Sequence, residues 1–228
     1  MDAGLRLASS VAAGEGDRCR WLRDGVLGDG DCVVVWLHHA VRGREHPAID
    51  TAVALAESAG CGVVAYLGLG GRHPYNNDRH LAFMLQGWRD AAEALMDRGI
   101  GVVGHAPSVL GAGSPLPRIG ASAAAVVTEE WPLQPISGWT ERLPQRLDRA
   151  SGWASGWASG GGAEAGGCGA RGYRPPVVAV DCACLVPMRS LGERFIDRAF
   201  RFREAIEGSW RASAVRGWAE PSAPAGGL

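Results

Sequence analysis

Five apolar residues, Val33-Val34-Val35-Trp36-Leu37, are the stretch that decides the fold. A short, unbroken apolar run rich in β-branched residues predicts a strand that is buried on both faces, as in a parallel sheet. Pro47 then supplies the first position of a predicted helix, and Gly60 supplies its stop. This order of strand and helix implies right-handed crossovers and a doubly wound α/β domain.

The same alternation continues along the chain. Further strands are predicted at 63–67, 100–104, 124–128 and 177–180, and further helices at 78–98, 139–149 and 191–206. The elements predict a five-stranded parallel sheet of Rossmann-like form. In such sheets ligands bind beyond the carboxyl ends of the strands. The predicted site therefore lies among the loops 38–46, 68–78, 105–107, 129–135 and 181–189.

Glycine, 34 of 228 residues, is spread unevenly and marks the expected boundaries of order. Residues 1–30 are predicted to be a flexible N-terminal arm, 31–210 the α/β domain, and 211–228 a disordered tail. Residues 151–172 contain a tandem Ser-Gly-Trp-Ala unit within a Gly-rich stretch. Such a composition cannot offset its own ordering entropy, so this stretch is predicted to be a flexible insertion.

The overall charge excludes some partners. A net charge of −1 and a pI near 6.6 give no general attraction to nucleic acid or to acidic membranes. The six scattered cysteines predict reduced thiols and a cytoplasmic protein. No apolar stretch is long enough for a signal peptide or a membrane span.

Common catalytic and cofactor motifs are missing from the sequence. The first strand is not followed by G-x-G-x-x-G, and neither a P-loop nor a G-x-S-x-G elbow occurs. The adjacent His38 and His39 would point apart on an extended segment, and Cys182-Ala183-Cys184 lacks a second cysteine pair. The sequence therefore predicts no metal site and no catalytic residue.

Arg79 has two interpretations. It opens the helix that starts at residue 78, where a cation and the free helix amides would suit an anionic ligand. It would equally suit an ion pair with Glu129 or Glu130 at the end of the fourth predicted strand.

Four segments resemble one family. Residues 36–49 are similar to the W-x-R-x-D-x-R-x-x-D-N-P/W-A-L turn of the DNA photolyases. In this turn Ala40 and Glu45 each stand where the family has Asp, and His46 stands where it has Asn. Residues 79–87 are similar to the R-H-x-x-F-M-L-x-G motif of class II cyclobutane-pyrimidine-dimer photolyases. Residues 126–133 and 178–187 resemble the family's V-V-T-D-F-x-P-L and V-x-V-D-A-H-N-I-V-P.

The resemblance covers residues 32–210 and implies the N-terminal α/β domain of a photolyase. In that family this domain holds an antenna pigment, in some members 8-hydroxy-5-deazaflavin, which passes energy to reduced FAD in a helical domain. The implied pigment site lies near Leu37, His38, Leu69, Arg79 and Glu129. Without the Asp at position 40, the turn containing Arg42 must be held in another way.

The helical FAD domain of the family would follow residue 210, where the chain has only a Gly/Pro/Ala-rich tail. FAD is therefore not expected to be held by this chain alone, contact with DNA is expected only indirectly, and no membrane contact is expected. Three functional hypotheses remain open. The chain is an antenna domain whose FAD half is a separate chain, a stand-alone nucleotide- or flavin-binding sensor, or a non-catalytic truncated photolyase remnant.

Overall fold

A six-stranded mixed sheet forms the centre of the computed structural model, which describes residues 16–69, 77–106, 113–157, 173–192 and 195–215. The strands lie in the order β1-β6-β5-β2-β3-β4. Their bounds are β1 Cys19–Arg23, β2 Cys32–Leu37, β3 Gly62–Gly68, β4 Gly101–His105, β5 Ala125–Glu130 and β6 Val177–Asp181. All neighbouring strands are parallel except β1 and β6, which pair antiparallel.

Six α-helices connect or flank the strands in the described residues. They are α1 Pro47–Ala59, α2 Asp78–Met96, α3 Leu116–Ala121, α4 Ile136–Glu141, α5 Leu143–Trp157 and α6 Ala199–Val215. Two short 3₁₀ turns cover Gly16–Arg18 and Met188–Leu191. Gly60 ends α1 with a φ of 67°, in the left-handed region that glycine adopts without steric cost. None of the described helices combines the length and apolar character that crossing a bilayer requires.

The two faces of the sheet are covered by different helices. On one face α1 and Leu95 of α2 pack on Val33, Val35 and Leu37 of the central strand β2. On the other face Leu116 of α3 and two leucines of α5 pack on the alternate residues of β2. Because side chains alternate along a strand, this arrangement buries the whole of residues 33–37, with exposed fractions of 7% or less. The α/β class predicted from that run is confirmed.

The predicted five-stranded, wholly parallel sheet is wrong. A sixth strand, β1, adds antiparallel to β6 at the edge, inside residues 1–30, which the sequence predicts to be a flexible arm. Every residue of β1 is only half-buried. Its sequence, Cys-Arg-Trp-Leu-Arg, also lacks the continuous apolar run that identifies the central strands. Arginine side chains fasten it instead: Arg20 Nε lies 2.6 Å from Glu130 Oε1, and Arg23 Nη1 lies 2.6 Å from Asp148 Oδ1. Residues 1–15 lie outside the described part.

Helix boundaries differ from prediction at three places. The final helix, predicted at 191–206, begins only at Ala199, since a 3₁₀ turn ends at Gly192 in a positive-φ conformation. It continues to Val215, within the predicted tail, and residues 216–228 lie outside the described part. The predicted helix 139–149 is two helices, α4 and α5. The backbone of α5 enters the predicted insertion as far as Trp157, and residues 158–172 are outside the described part.

Gly30, just before β2, allows two backbone segments to approach closely. A Cβ atom there would lie 2.5 Å from the Ala124 nitrogen and 2.6 Å from the Ser122 oxygen. We expect Gly30→Ala to lower the free energy of unfolding by about 2 kcal/mol, a typical cost of overpacking. Urea denaturation measures this cost. The matched control is Gly25→Ala, whose Cβ would be 3.8 Å from its nearest neighbour, so equal costs for the two variants would contradict the prediction.

Candidate ligand site at the carboxyl edge of the sheet

The candidate site lies where the strand order reverses. From β2 the chain moves to β3 and β4 on one side, and then returns to β5 on the other side of β2. The loops that leave β2 and β5 therefore diverge at their shared carboxyl edge, which opens a crevice in doubly wound sheets. Trp36 is level with Thr128 where the pairing of β2 and β5 ends, and the two loops begin after Leu37 and Glu130.

Glu129 organises the loop after β2. Its Oε2 accepts hydrogen bonds from the backbone amides of His38 at 2.5 Å and His39 at 2.6 Å, and its Oε1 accepts one from Ala40 at 2.8 Å. The Glu129 side chain is fully buried. One carboxylate from β5 thus fixes the first three residues beyond β2.

The environment of Glu129 keeps it ionised. Burial raises its pKa, but His46, whose Nε2 lies 3.3 Å from Oε1, and the side chain and backbone amide of His38 lower the pKa to about 2. His46 Nε2 lies close to Oε1 without the alignment of a hydrogen bond. Three short amide contacts alone favour the charged form of a carboxylate, so Glu129 is an anion at neutral pH.

Arg42 holds the rest of this turn. Its Nε and Nη2 donate to the Glu45 carbonyl at 3.1 and 2.8 Å, and Nη2 also donates to the Cys182 carbonyl at 3.1 Å. Glu45 has a positive φ of 48°, which is uncommon outside glycine. Backbone carbonyls therefore bind Arg42 in place of the aspartate carboxylate that the family has at position 40, where this chain has Ala40. The sequence predicted that the turn is held in another way.

Rings from both loops gather at this edge, and we call the group Trp36, His38, His39, Trp131 and Trp139 the aromatic edge. The His38 ring lies 4.4 Å from Trp36 and 6.3 Å from Trp139, measured between centroids. The His39 ring lies 4.1 Å from Trp131. The rings are tilted to one another, by 48° for Trp36 and His38, 73° for His38 and Trp139 and 37° for His39 and Trp131, and Trp36 is largely buried.

His38 is neutral in this setting. Burial lowers its pKa, against the opposing effect of Glu129. Its Nε2 lies 3.2 Å from Thr128 Oγ1, and its Nδ1 is buried without a hydrogen-bond partner among the described residues. The aromatic edge therefore carries no net charge from His38 at neutral pH.

The structure brings together two of the five predicted site residues directly, His38 and Glu129. Leu37 is 1% exposed and packs in the core, so it and Glu129 support the site from beneath. Leu69 is at the end of neighbouring β3, and its amide donates to the His105 carbonyl at 2.8 Å. Arg79 is exposed in the first turn of α2. Ligand contact by these residues stays a prediction.

The alternative interpretation of Arg79, an ion pair with Glu129 or Glu130, is wrong for the described chain. Glu129 is enclosed by backbone amides and His46, and Glu130 pairs with Arg20. Among the described contacts, none joins Arg79 to either acid. Its helix is capped by Asn77, whose Oδ1 accepts from the His80 amide at 2.9 Å.

Four residues of this region were not assigned to the site from the sequence: Trp131, Trp139, His46 and Cys182. Trp131 follows β5 directly, where a ligand crevice is expected, and that position was the available signal, whereas Trp139 lies in helix α4. His46 and Cys182 come from loops far apart in the chain. They meet Glu129 in a buried group whose potential metal-ligating atoms lie within 4.8 Å of one another.

Apolar side chains are exposed on the elements that leave this edge. Phe83 in the first half of α2 is 73% exposed, Leu133 after β5 is 62% exposed, and Leu185 after β6 is 53% exposed. Large exposed apolar side chains grouped at one end of a domain are typical of a surface that contacts another protein.

No protein-family model matches the chain. A segment of 121 residues is 31% identical to the deoxyribodipyrimidine photo-lyase of Methanothermobacter thermautotrophicus. The match covers 52% of this chain and 26% of that protein, so the chain spans about a quarter of the relative's length. Together with the α/β sheet, this similarity supports a relationship to the photolyase family.

Proposed function

We propose that this chain is a photolyase-like antenna domain that binds a planar chromophore and works with a separate FAD-containing chain in light-driven DNA repair. The observation that carries the proposal is the aromatic edge at the point of strand reversal. Its rings would stack on a flat heterocycle, because offset and edge-to-face packing of aromatic rings is favourable. A turn fixed by Glu129 and Arg42 keeps these rings in place before the ligand arrives.

The proposed chromophore is 8-hydroxy-5-deazaflavin, a fused planar ring system with an acidic hydroxyl group. In this proposal Arg79 and the amino end of α2 would supply the positive potential that suits the ionised hydroxyl group. The neutral His38 adds no cationic competitor within the ring set.

The proposed partner is a helical chain that holds FAD. The exposed Phe83, Leu133 and Leu185 all lie on segments that follow the carboxyl ends of strands, as a docking surface at that edge would require. A partner seated there would bring its FAD close enough to receive energy. Since the net charge of the chain is −1, we assign DNA contact to the partner. In this proposal the reaction takes place at the partner's FAD. The proposed relationship to the class II photolyases rests on the motif at residues 79–87.

The proposal is tested by titrating the purified chain with 8-hydroxy-5-deazaflavin and, in parallel, with FAD. Saturable one-to-one binding of the deazaflavin, with a red-shifted absorption band, is the expected result. Binding of FAD alone would replace the proposal with the sensor hypothesis. Failure of both ligands to bind, with the helical partner present as well as absent, would favour the truncated remnant.

Arg79→Ala should weaken deazaflavin binding by about tenfold, the effect of losing one charge-assisted contact of roughly 1.4 kcal/mol. Fluorescence titration measures the dissociation constant. Arg89→Ala is the matched control, because Arg89 is an exposed arginine farther along α2 that pairs with Asp90. Equal loss of affinity in both variants would indicate a general charge effect and contradict a specific role for Arg79.

A further inference from the structure

Beneath the turn after β2, three side chains of metal-binding type meet in the protein interior. His46, Glu129 and Cys182 have exposed fractions of 0%, 0% and 5%. Their potential ligand atoms, one from each residue, all lie within 4.8 Å of one another. We call these three residues the buried triad. It lies on the core side of the turn and shares Glu129 with the predicted chromophore site, and its metal content can be measured without a chromophore.

His46 is the unusual member of the triad. It occupies the N-cap position of α1, but its side chain makes no capping hydrogen bond and turns into the core instead. Both ring nitrogens are buried without a hydrogen-bond partner in the described part of the chain. A buried polar group without a partner is costly, and a bound ion is one of the recognised reasons for finding one.

The spacing of His46 and Glu129 fits a shared ion. His46 Nε2 lies 3.3 Å from Glu129 Oε1, yet the two atoms are not aligned as a hydrogen bond. Zinc bonds of 2.0–2.2 Å at a tetrahedral angle separate a nitrogen and an oxygen ligand by about 3.3–3.5 Å. The observed separation is the one that a metal bound to both atoms would produce.

The ligand chemistry is also consistent with zinc. Imidazole, thiolate and carboxylate are the three side-chain groups that bind this ion in proteins. One dication, one carboxylate and one thiolate sum to zero charge, which suits a site from which water is excluded. Hydrogen bonds from the amides of His38, His39 and Ala40 already orient the carboxylate, as outer-shell contacts do at established metal sites.

The thiol of Cys182 is protonated in the metal-free protein. Burial and the nearby charge of Glu129 raise its pKa well above the ordinary value, and its Sγ donates to the Val180 carbonyl at 3.2 Å. Metal binding would release this proton to solvent and form the metal–sulfur bond.

We propose that His46, Glu129 and Cys182 form a buried site for a divalent zinc-type ion, which ties strand β5 to the loops after β2 and β6.

The first test measures zinc in the chain purified from zinc-supplemented cells and passed over a chelating resin. We expect one-to-one zinc in the unmodified chain and in Cys61→Ser, a control at another buried cysteine. Cys182→Ser and His46→Asn should lose it, by more than the tenfold to hundredfold in affinity that loss of an outer-shell group costs. His46→Asn places at this position the residue of the photolyase motif, which keeps a hydrogen-bonding group beside Glu129.

The second test identifies the ligands. The chain is unfolded with chelator and refolded with Co²⁺, because the closed triad must load before or during folding. A sulfur-to-cobalt charge-transfer band that is absent from Cys182→Ser and retained in Cys61→Ser is the expected result. Circular dichroism in chelator establishes that each variant is folded. Zinc content unchanged by both triad variants, or a metal-free chain that also shows no cobalt–sulfur band, would overturn the proposal.

Discussion

Replacing Glu129 with alanine is expected to lower the free energy of unfolding by about 4 kcal/mol, since an unpaired buried amide costs about 1–3 kcal/mol and three amides lose their acceptor. These are the amides of His38, His39 and Ala40. The variant also leaves His46 without its neighbouring carboxylate in a fully buried position. Urea denaturation in the presence of a chelator measures the change with no contribution from a bound metal.

The matched control for this prediction is Glu130→Ala. Glu130 is the next residue of β5 and pairs with Arg20 near the surface, where the two side chains are 15% and 30% exposed. A pair of this kind contributes about 1 kcal/mol or less. If Glu129→Ala cost no more than Glu130→Ala, the turn would be held mainly by Arg42, and the organising role of Glu129 would be refuted.

The second large expected effect is a loss of folding stability at low pH that results from protonation of Glu129. The pKa of Glu129 is about 2 in the folded chain, compared with 4.5 for an unperturbed glutamate, which stands for the unfolded chain. The folded form therefore binds the proton more weakly. Stabilisation from this group is therefore complete above pH 4.5 and is lost as the pH falls through about 2. The shift corresponds to about 3 kcal/mol.

Glu129→Gln isolates that contribution, because glutamine has nearly the same volume and does not titrate. The free energy of unfolding is measured for both proteins in chelator between pH 6 and the lowest pH at which each still folds. The advantage of the unmodified chain over the variant should be constant above pH 4.5 and shrink below it. A difference that stays constant throughout would show that Glu129 titrates normally in the folded state.

The central strands were predictable because a local sequence pattern indicates each of them. Residues 33–37 and 63–67 are continuous apolar runs, and the sheet buries both. The start of α1 at Pro47 and its end before Gly60 follow from the restricted φ of one residue and the freedom of the other. Such signals need no knowledge of the rest of the chain.

Strand β1 was not predictable in this way, because its position depends on distant partners. Its arginines pair with acids 110 and 125 residues further along the chain. No local periodicity records those contacts. The sequence of β1, read alone, resembles the loop residues around it.

The location of the candidate site was predicted from the sequence, but the structural role of each residue in it was not. The switch point and His38 follow from the strand order. The role of Glu129 does not, because a glutamate at a strand end looks the same whether it faces a ligand or accepts backbone amides. His46 likewise reads as a surface residue of a turn, and only the fold shows that it enters the core.

The antiparallel pairing of β1 with β6 also bears on self-association. Without β1, the backbone of Val177–Asp181 would form an open sheet edge, and such an edge is a template for pairing with a second molecule. The apolar sequence of β6 would make that edge adhesive. The five half-buried residues of β1 thus protect the edge of the sheet from aggregation. A shortened chain that starts at residue 31 would lose this protection.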